Sequence, residues 1–418
     1  MQGQGSPHQP LVAADVRTIL AQALAEQPLT AKRVLVIIPD GTRHAPLPLL
    51  FDTLCNQLHH RVAALDFLIA LGTHPPMSET AIERHLGMRA SEYSERYPGV
   101  HVYNHTWNDS ASLAQIGILS ASEVELLTEG LLHDPIPVTL NRLLLDYDHI
   151  LICGPVFPHE VAGFSGGAKY LFPGIAGPDI INATHWLGAL VTSMHTIGMK
   201  DTPVRRVIDG AARLVPRPIS CIALAVKGDD LYGLFCGSCE EAWSAAADLS
   251  AQLEIVTVQR PFQRVLSIPS KIYDDLWTAA KAMYKTEPAI ANGGEVIIYA
   301  PWLSEVSYTH GALIDVVRYH VRDYFTKQPD RCAHVPGMIK AHSTHVKGAG
   351  SYDLSHHYEL PRIRVTLATA IPEERCKRIN LGYLNPNLIH LDEWEGHEDQ
   401  GILVVHNAGE VLYRLHQQ

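Results

Sequence analysis

Short apolar runs that break off at turn-forming or titratable residues recur through the first half of the chain: VLVIIPD at 34–40, LDFLIALGTH at 65–74, VHVYNH at 100–105 and HILICGPVFPH at 149–159. Between them lie stretches with helical spacing, among them PLPLLFDTLCNQLHHR at 46–61 and SASEVELLTEGLL at 120–132. Strand followed by helix, repeated, predicts an α/β fold with a largely parallel sheet. ISCIALAVKGDDLYGLFCG at 219–237 predicts a hairpin turning at Gly228-Asp229-Asp230. The proline-bearing QRPFQRVLSIPS at 259–270 reads as the passage into a second α/β unit. That unit has a helix around LWTAAKAMY, strands EVIIYAP and RIRVTLATAI, and a terminal hairpin GILVVHNAGEVLYRL turning at Asn407-Ala408-Gly409. Two α/β domains with mostly parallel sheets are therefore expected, over residues 1–260 and 261–418.

Length agrees with this division, because 418 residues exceed what one hydrophobic core usually organises. The 46% apolar and 18% charged composition is that of a globular chain, and the net charge of -11 repels phosphate, which excludes non-specific nucleic-acid or anionic-membrane partners. No segment approaches the roughly 18 uninterrupted apolar residues of a membrane helix, and MQGQGSPHQP lacks a signal-peptide core, so a cytoplasmic location is expected. Seven cysteines spread over the chain do not form a disulfide framework. Cys236-Gly-Ser-Cys239 has no second pair to complete a zinc site and is read as coincidence.

The polar residues gather where the strands end, and in open α/β sheets ligands bind at the carboxyl ends of strands. Asp40-Gly-Thr-Arg43 follows the first run, and an arginine there suits a carboxylate, with the aspartate as orienting partner or as a structural ion pair. Gly72-Thr-His74-Pro-Pro places a histidine in a turn stiffened by prolines, which on its own fits a structural role as well as a catalytic one. HEVAGFSGGAK at 159–169 looks like a phosphate loop, but Ala168 stands where a Walker loop needs its last glycine and Tyr170 where it needs a hydroxyl for magnesium. What remains is a glycine turn, Ser165-Gly166-Gly167, whose N–H groups can approach an anion, followed by Lys169.

Taken together, GFSGGAK followed by PGIAG, the upstream His159, the downstream Asn182-Ala-Thr-His185, DGTR after the first strand and GTH after the second resemble the lactate racemase family, which uses a nickel-pincer nucleotide. The resemblance covers about 30–290 well and the remainder loosely. It implies that Lys169 carries the pincer nucleotide covalently as a thioamide, with Ser165, Gly166 and Gly167 around it, and that His185 is the protein ligand to nickel. It further implies that His74 and His159 act as acid and base on the 2-hydroxyl of a 2-hydroxy acid while the α-hydrogen moves as hydride. Histidine can do this in either direction near neutrality. Arg43 and Lys281 would anchor the carboxylate, with Asp40 beside them and Trp277 and Thr278 at substrate positions, in a cleft that the second domain closes. Small 2-hydroxy acids and cofactor-assembly proteins are the implied partners.

The chain departs from the family where substrate is recognised. Pro75 replaces an arginine after His74, Trp277 and Thr278 replace tyrosine and glutamine, and a tryptophan is replaced by a segment rich in His334, Lys340, His342 and His345. These changes point to a larger polar substrate, such as a sugar acid epimerised at carbon 2, over lactate. A non-catalytic binding homologue is the alternative class; a zinc hydrolase lacks any H-E-x-x-H pair.

Overall fold

The computed structural model describes residues 1–416, and its larger sheet has seven strands: β1 Gln2–Gly5, β2 Arg33–Pro39, β3 Ala64–Ala70, β4 Val102–Asn104, β5 His149–Pro155, β6 Ile219–Lys227 and β7 Asp230–Gly237. Their order is β1-β7-β6-β5-β2-β3-β4. β6, β5, β2, β3 and β4 run parallel, and β7 and β1 add antiparallel at one edge. Val34 to Ile38 and all of β5 are buried, which explains why these strands read as continuous apolar runs: helices cover both faces of such a sheet. Leu20 and Leu24 of helix α1 (Ala13–Ala25) and Leu50, Phe51 and Leu54 of helix α2 (Leu47–Leu58) share one core with Val36, Ile38, Phe67 and Leu151. The β6–β7 hairpin turns where expected, with Lys227 opposite Asp230. Because β2, β3 and β5 are parallel, Asp40, the Gly72–His74 turn and the segment after Pro155 leave the sheet at the same edge.

The second sheet is wholly parallel: β8 Phe262–Pro269, β9 Ile290–Ala300, β10 Arg364–Thr369, β11 Gly382–Tyr383 and β12 Ile402–Ala408, in the order β11-β10-β9-β8-β12. The expected α/β class with mostly parallel sheets is what the structure has. The terminal hairpin is not. β12 pairs in parallel with β8, while Leu412–Leu415 pairs in parallel with Ile255–Val258 in a separate ribbon. The chain does bend at Asn407-Ala408-Gly409, with positive φ at Asn407 and Gly409, but each flanking segment finds a longer-range partner. Turn chemistry alone does not specify pairing. The helix at LWTAAKAMY is also split, into Leu276–Ala279 and Lys281–Tyr284.

Backbone contacts divide the chain into two units. One holds Met1–Phe157, Phe164–Ile181 and Arg205–Leu253; the other holds Pro158–Gly163, Asn182–Val204 and the chain from Glu254 onward. The last change of unit, after Leu253, lies close to the expected boundary at 260, but two earlier segments also belong to the second unit. No helix among the described residues is long and apolar enough to cross a membrane.

Within the first unit, β3 is fixed by one buried carboxylate. Asp66 accepts hydrogen bonds from the Tyr147 hydroxyl at 2.5 Å and from the backbone N–H of His101 at 2.8 Å, and its Oδ1 lies 2.9 Å from His101 Nδ1. Replacing Asp66 with alanine strands these donors, and we expect a loss of about 2 to 4 kcal/mol of unfolding free energy, read from urea denaturation, against about 1 kcal/mol for Tyr147→Phe.

Candidate active site

In the first unit Asp40 is the residue immediately after β2, only 6% exposed. Its Oδ1 accepts from the Thr42 hydroxyl at 2.6 Å and the Thr42 N–H at 3.1 Å, an arrangement typical of an aspartate that closes its own turn. Its Oδ2 lies 2.5 Å from His74 Nδ1. Burial alone would raise the Asp40 carboxyl, but the charge and hydrogen bond of His74, with Arg43 and Thr42 behind them, hold it well below the usual carboxylate range. An ionised carboxylate can only accept, so His74 carries a hydrogen on Nδ1, and Nε2 becomes an acceptor whenever the ring is neutral. The turn that bears His74 is tied to the PGIAG segment by Gly72 N–H donating to the Gly174 carbonyl at 2.9 Å. Arg43 donates to the Thr42 hydroxyl at 3.2 Å, and its guanidinium lies over the Phe157 ring, 5.2 Å from the centroid.

The glycine loop of the same unit is held from behind. Ser165 bonds Phe157 twice, N–H to carbonyl at 2.8 Å and hydroxyl from N–H at 3.0 Å, so its hydroxyl serves the loop itself. Gly166 and Gly167 have φ of +77° and +58°, and a Cβ on Gly167 would sit 3.0 Å from the Trp243 side chain. Trp243 Nε1–H donates to the Ser165 carbonyl at 2.8 Å. The buried Arg205 donates to the Phe164 and Gly166 carbonyls and lies 4.3 Å from the Trp243 ring centroid. Lys169 follows on a short turn, Gly167–Tyr170, half-buried, and the Tyr170 ring lies where a side chain on Gly154 of β5 would be. Arg205 and Trp243 were not among the residues singled out from the sequence. They lie 39 and 78 residues from their loop partners, beyond any spacing motif.

In the second unit His159 is buried and its Nδ1 accepts the N–H of Val161 at 3.1 Å. Neutral His159 therefore carries its hydrogen on Nε2, the tautomer opposite to that of His74. Glu160 lies 3.5 Å from the same Nδ1 and would stabilise the charged ring. His185 sits half-buried on the helix Pro178–Val191. Lys281 comes one helical turn after Trp277, is buried, and places Nζ 4.6 Å from the Tyr273 ring centroid. Thr278 is engaged by the helix cap Asp275: its hydroxyl and N–H both donate to Asp275 Oδ1, at 2.9 and 3.0 Å. Trp277 stacks on His342 at 3.8 Å with rings 9° apart, and tilts against His310 at 4.5 Å.

His342 and His345 occupy one side of the helix Gly337–Lys347 and are both buried. Burial holds His342 down to about 3, opposed by its bond to the Trp277 carbonyl and assisted by His345, His310 and His185. Burial likewise holds His345 down to about 4 against the pull of Glu160. Both rings are neutral at physiological pH. Among the described residues no three His, Cys, Asp or Glu side chains are grouped to hold a metal ion by themselves.

Residues 6–198 match the model of the lactate racemase N-terminal domain. Residues 6–198 are thus assigned to the lactate racemase N-terminal domain, and the chain is similar to the lactate racemase family. It is 24% identical over 277 residues to the lactate racemase of Thermoanaerobacterium thermosaccharolyticum, a match that covers 64% of this chain and 60% of that protein. It is 22% identical over 272 residues to the lactate racemase of Lactiplantibacillus plantarum, covering 64% and 59%. The matched region thus spans about three fifths of the length of these curated relatives. Among solved structures, a Thermotoga maritima protein superposes with a TM-score of 0.90 at 30% identity, covering 99% of this chain and 100% of that one. The lactate racemase apoprotein of T. thermosaccharolyticum superposes with a TM-score of 0.70 at 20% identity, covering 95% and 92%, which establishes a shared fold.

The structure brings Asp40, Arg43 and His74 together at one sheet edge, and it places Trp277 and Lys281 one turn apart. His342, given only as part of a histidine-rich segment in the sequence, proves to be the stacking partner of Trp277. The two buried histidines also fix an acid-stability profile. Their folded pKa values lie below the ordinary 6.5, so the unfolded chain binds the extra protons; stability is full above about pH 6.5 and falls as pH drops toward 4. Each ring contributes a slope of up to about 1.4 kcal/mol per pH unit in that window. Urea unfolding of His345→Gln between about pH 7 and pH 5 is expected to show a slope shallower by that amount than the unaltered chain.

Proposed function

We propose that this protein inverts carbon 2 of a 2-hydroxy acid, as a racemase or epimerase, with His74 and His159 as its two proton-transfer groups. The observation that carries this reading is the pair of opposite Nδ1 partners: a carboxylate keeps a hydrogen on His74 Nδ1, so that Nε2 accepts when that ring is neutral, whereas a backbone N–H donates to His159 Nδ1, so that neutral His159 carries its hydrogen on Nε2. Inversion needs one group to take the hydroxyl proton of one enantiomer and another to return a proton on the product side, and reversal exchanges the roles. Asp40 stabilises the charge that appears on His74 when it takes the proton, and Glu160 can do the same for His159. Arg43 and Lys281 are the proposed carboxylate anchors, since a guanidinium steadied over an aromatic ring and a buried ammonium both favour an anion.

Lys169 is the proposed attachment point of a nickel-pincer nucleotide and His185 the ligand to its nickel. The residue types support this: imidazole suits nickel, and His185 stands half-buried on its helix. When bound, the cofactor supplies the hydride acceptor and donor. Around it the chain's own work is to hold the glycine loop through Arg205 and Trp243 and to orient the two histidines. The substrate is proposed to be a polar, hydroxylated acid in preference to lactate, because neutral histidines and Trp277 surround the second-unit positions. Hydroxyls are matched by groups that both donate and accept.

Three measurements test this. Protein produced with the cofactor-assembly proteins should gain mass on the Lys169 peptide together with about one nickel per chain, and an unmodified peptide under those conditions would sink the cofactor assignment. His74→Asn and His159→Asn should each lower turnover by about 10² to 10⁴ while nickel content holds. Run in deuterium oxide, inversion of gluconate or lactate should leave carbon 2 free of solvent deuterium; incorporation there would replace hydride movement with proton abstraction.

A further inference from the structure

Three consecutive peptide carbonyls of the glycine loop are taken by side chains that arrive from far along the chain. The Phe164 and Gly166 carbonyls accept from Arg205 of the helix Pro203–Ala212. The Ser165 carbonyl between them accepts the Trp243 indole N–H at 2.8 Å, from the helix Cys239–Glu254. Arg205 and Trp243 are both buried, and the guanidinium lies 4.3 Å from the ring centroid, so the two act on the loop as one body. All of these residues lie in the first unit. Ser-Gly-Gly is poorly able to hold its own shape, since each glycine lets the peptide planes beside it turn over. Donors fixed on two helices hold those planes from outside. Packing closes the remaining space: a Cβ on Gly166 would lie 2.4 Å from the Val156 side chain, and one on Gly167 3.0 Å from Trp243.

The Gly166 carbonyl is shared. It accepts from Arg205 Nη1 at 3.4 Å and from the backbone N–H of Lys169 at 3.2 Å. From Lys169 the bonding continues: its carbonyl accepts the Gly174 N–H at 3.1 Å, and the Gly174 carbonyl accepts the Gly72 N–H at 2.9 Å. Gly72 opens the turn in which the His74 N–H donates back to the Leu71 carbonyl at 2.9 Å. A series of backbone bonds therefore runs from the Arg205–Trp243 pair through Lys169 to the turn that carries His74.

We propose that Arg205 and Trp243 are positioning residues, which set Lys169 and the His74 turn relative to one another through this series. Neither touches substrate; each acts by fixing backbone that bears a reacting group. A displacement of about 1 Å in such a site costs on the order of 10² in rate, which is the reason to hold the loop so firmly. The roles of Lys169 and His74 rest on the function proposed above, whereas the mechanical link between them is a property of the chain itself.

The test starts with Trp243→Phe, which deletes one N–H and keeps a ring against Gly167 and Arg205. In the full chain without cofactor, hydrogen exchange of the Lys169, Gly174 and Gly72 amides should speed up by about tenfold. The His101 amide, bonded to Asp66 in the same unit, should keep its rate. Arg205→Lys, whose ammonium lacks the fork that spans two carbonyls, should act on the same amides; if it fails to fold, Trp243→Phe carries the test alone. In protein made with the cofactor-assembly proteins, kcat per bound nickel should fall by about tenfold for Trp243→Phe, with KM within about twofold. No acceleration, acceleration that stops at residues 164–167, equal acceleration at His101, or an unchanged kcat per nickel would each overturn the proposal. An unaltered chain that gains no mass on the Lys169 peptide would count against the cofactor reading instead, and the exchange rates would still decide the link.

Discussion

The hydrogen bond between Asp40 and His74 is the contact on which the chemistry proposed for the first unit depends. It joins the residue that ends one parallel strand to the turn that ends its neighbour, across 34 positions of sequence, and it fixes which ring nitrogen carries the hydrogen. Asp40 can do this because Thr42 occupies its other oxygen, leaving one acceptor aimed at the imidazole. A carboxylate so thoroughly engaged stays ionised despite burial. The same logic runs in reverse at His159, where a backbone N–H donates to Nδ1 and the Glu160 carboxylate stands farther off, at 3.5 Å. Two rings of one type are thus given different proton inventories by their nearest neighbours alone.

Much of this was legible in the sequence because parallel strands advertise themselves. The runs at 34–39 and 149–155 are apolar at every position since both faces are covered, and the polar residues that follow them mark the edge where ligands bind. The ordered motifs around His74, His159, Lys169 and His185 pointed to the family for the same reason: each sits in a short segment whose spacing the backbone fixes. The terminal hairpin was misread because a turn signal says that the chain bends and says nothing about which strand edge is open nearby. Trp243 and Arg205 were invisible because long-range partners leave no periodic trace. Thr278 donates to the helix cap Asp275 three residues earlier, a local contact that the spacing of the two residues already permits.

The division of the chain has a consequence for how this protein can be taken apart. The path changes unit after residues 157, 163, 181, 204 and 253, so the stretch HEVAGFSGGAK itself is shared, with His159 on one side of a change and Lys169 on the other. Neither unit is a continuous piece of polypeptide. A gene fragment ending near residue 260 would carry two segments whose packing partners are missing, and a fragment starting there would lack the helix that bears His185. In such a chain the units cannot be exchanged as cassettes between relatives; recombination that preserves the fold has to carry nearly the whole gene, and the proposed base and the proposed tether are inherited together.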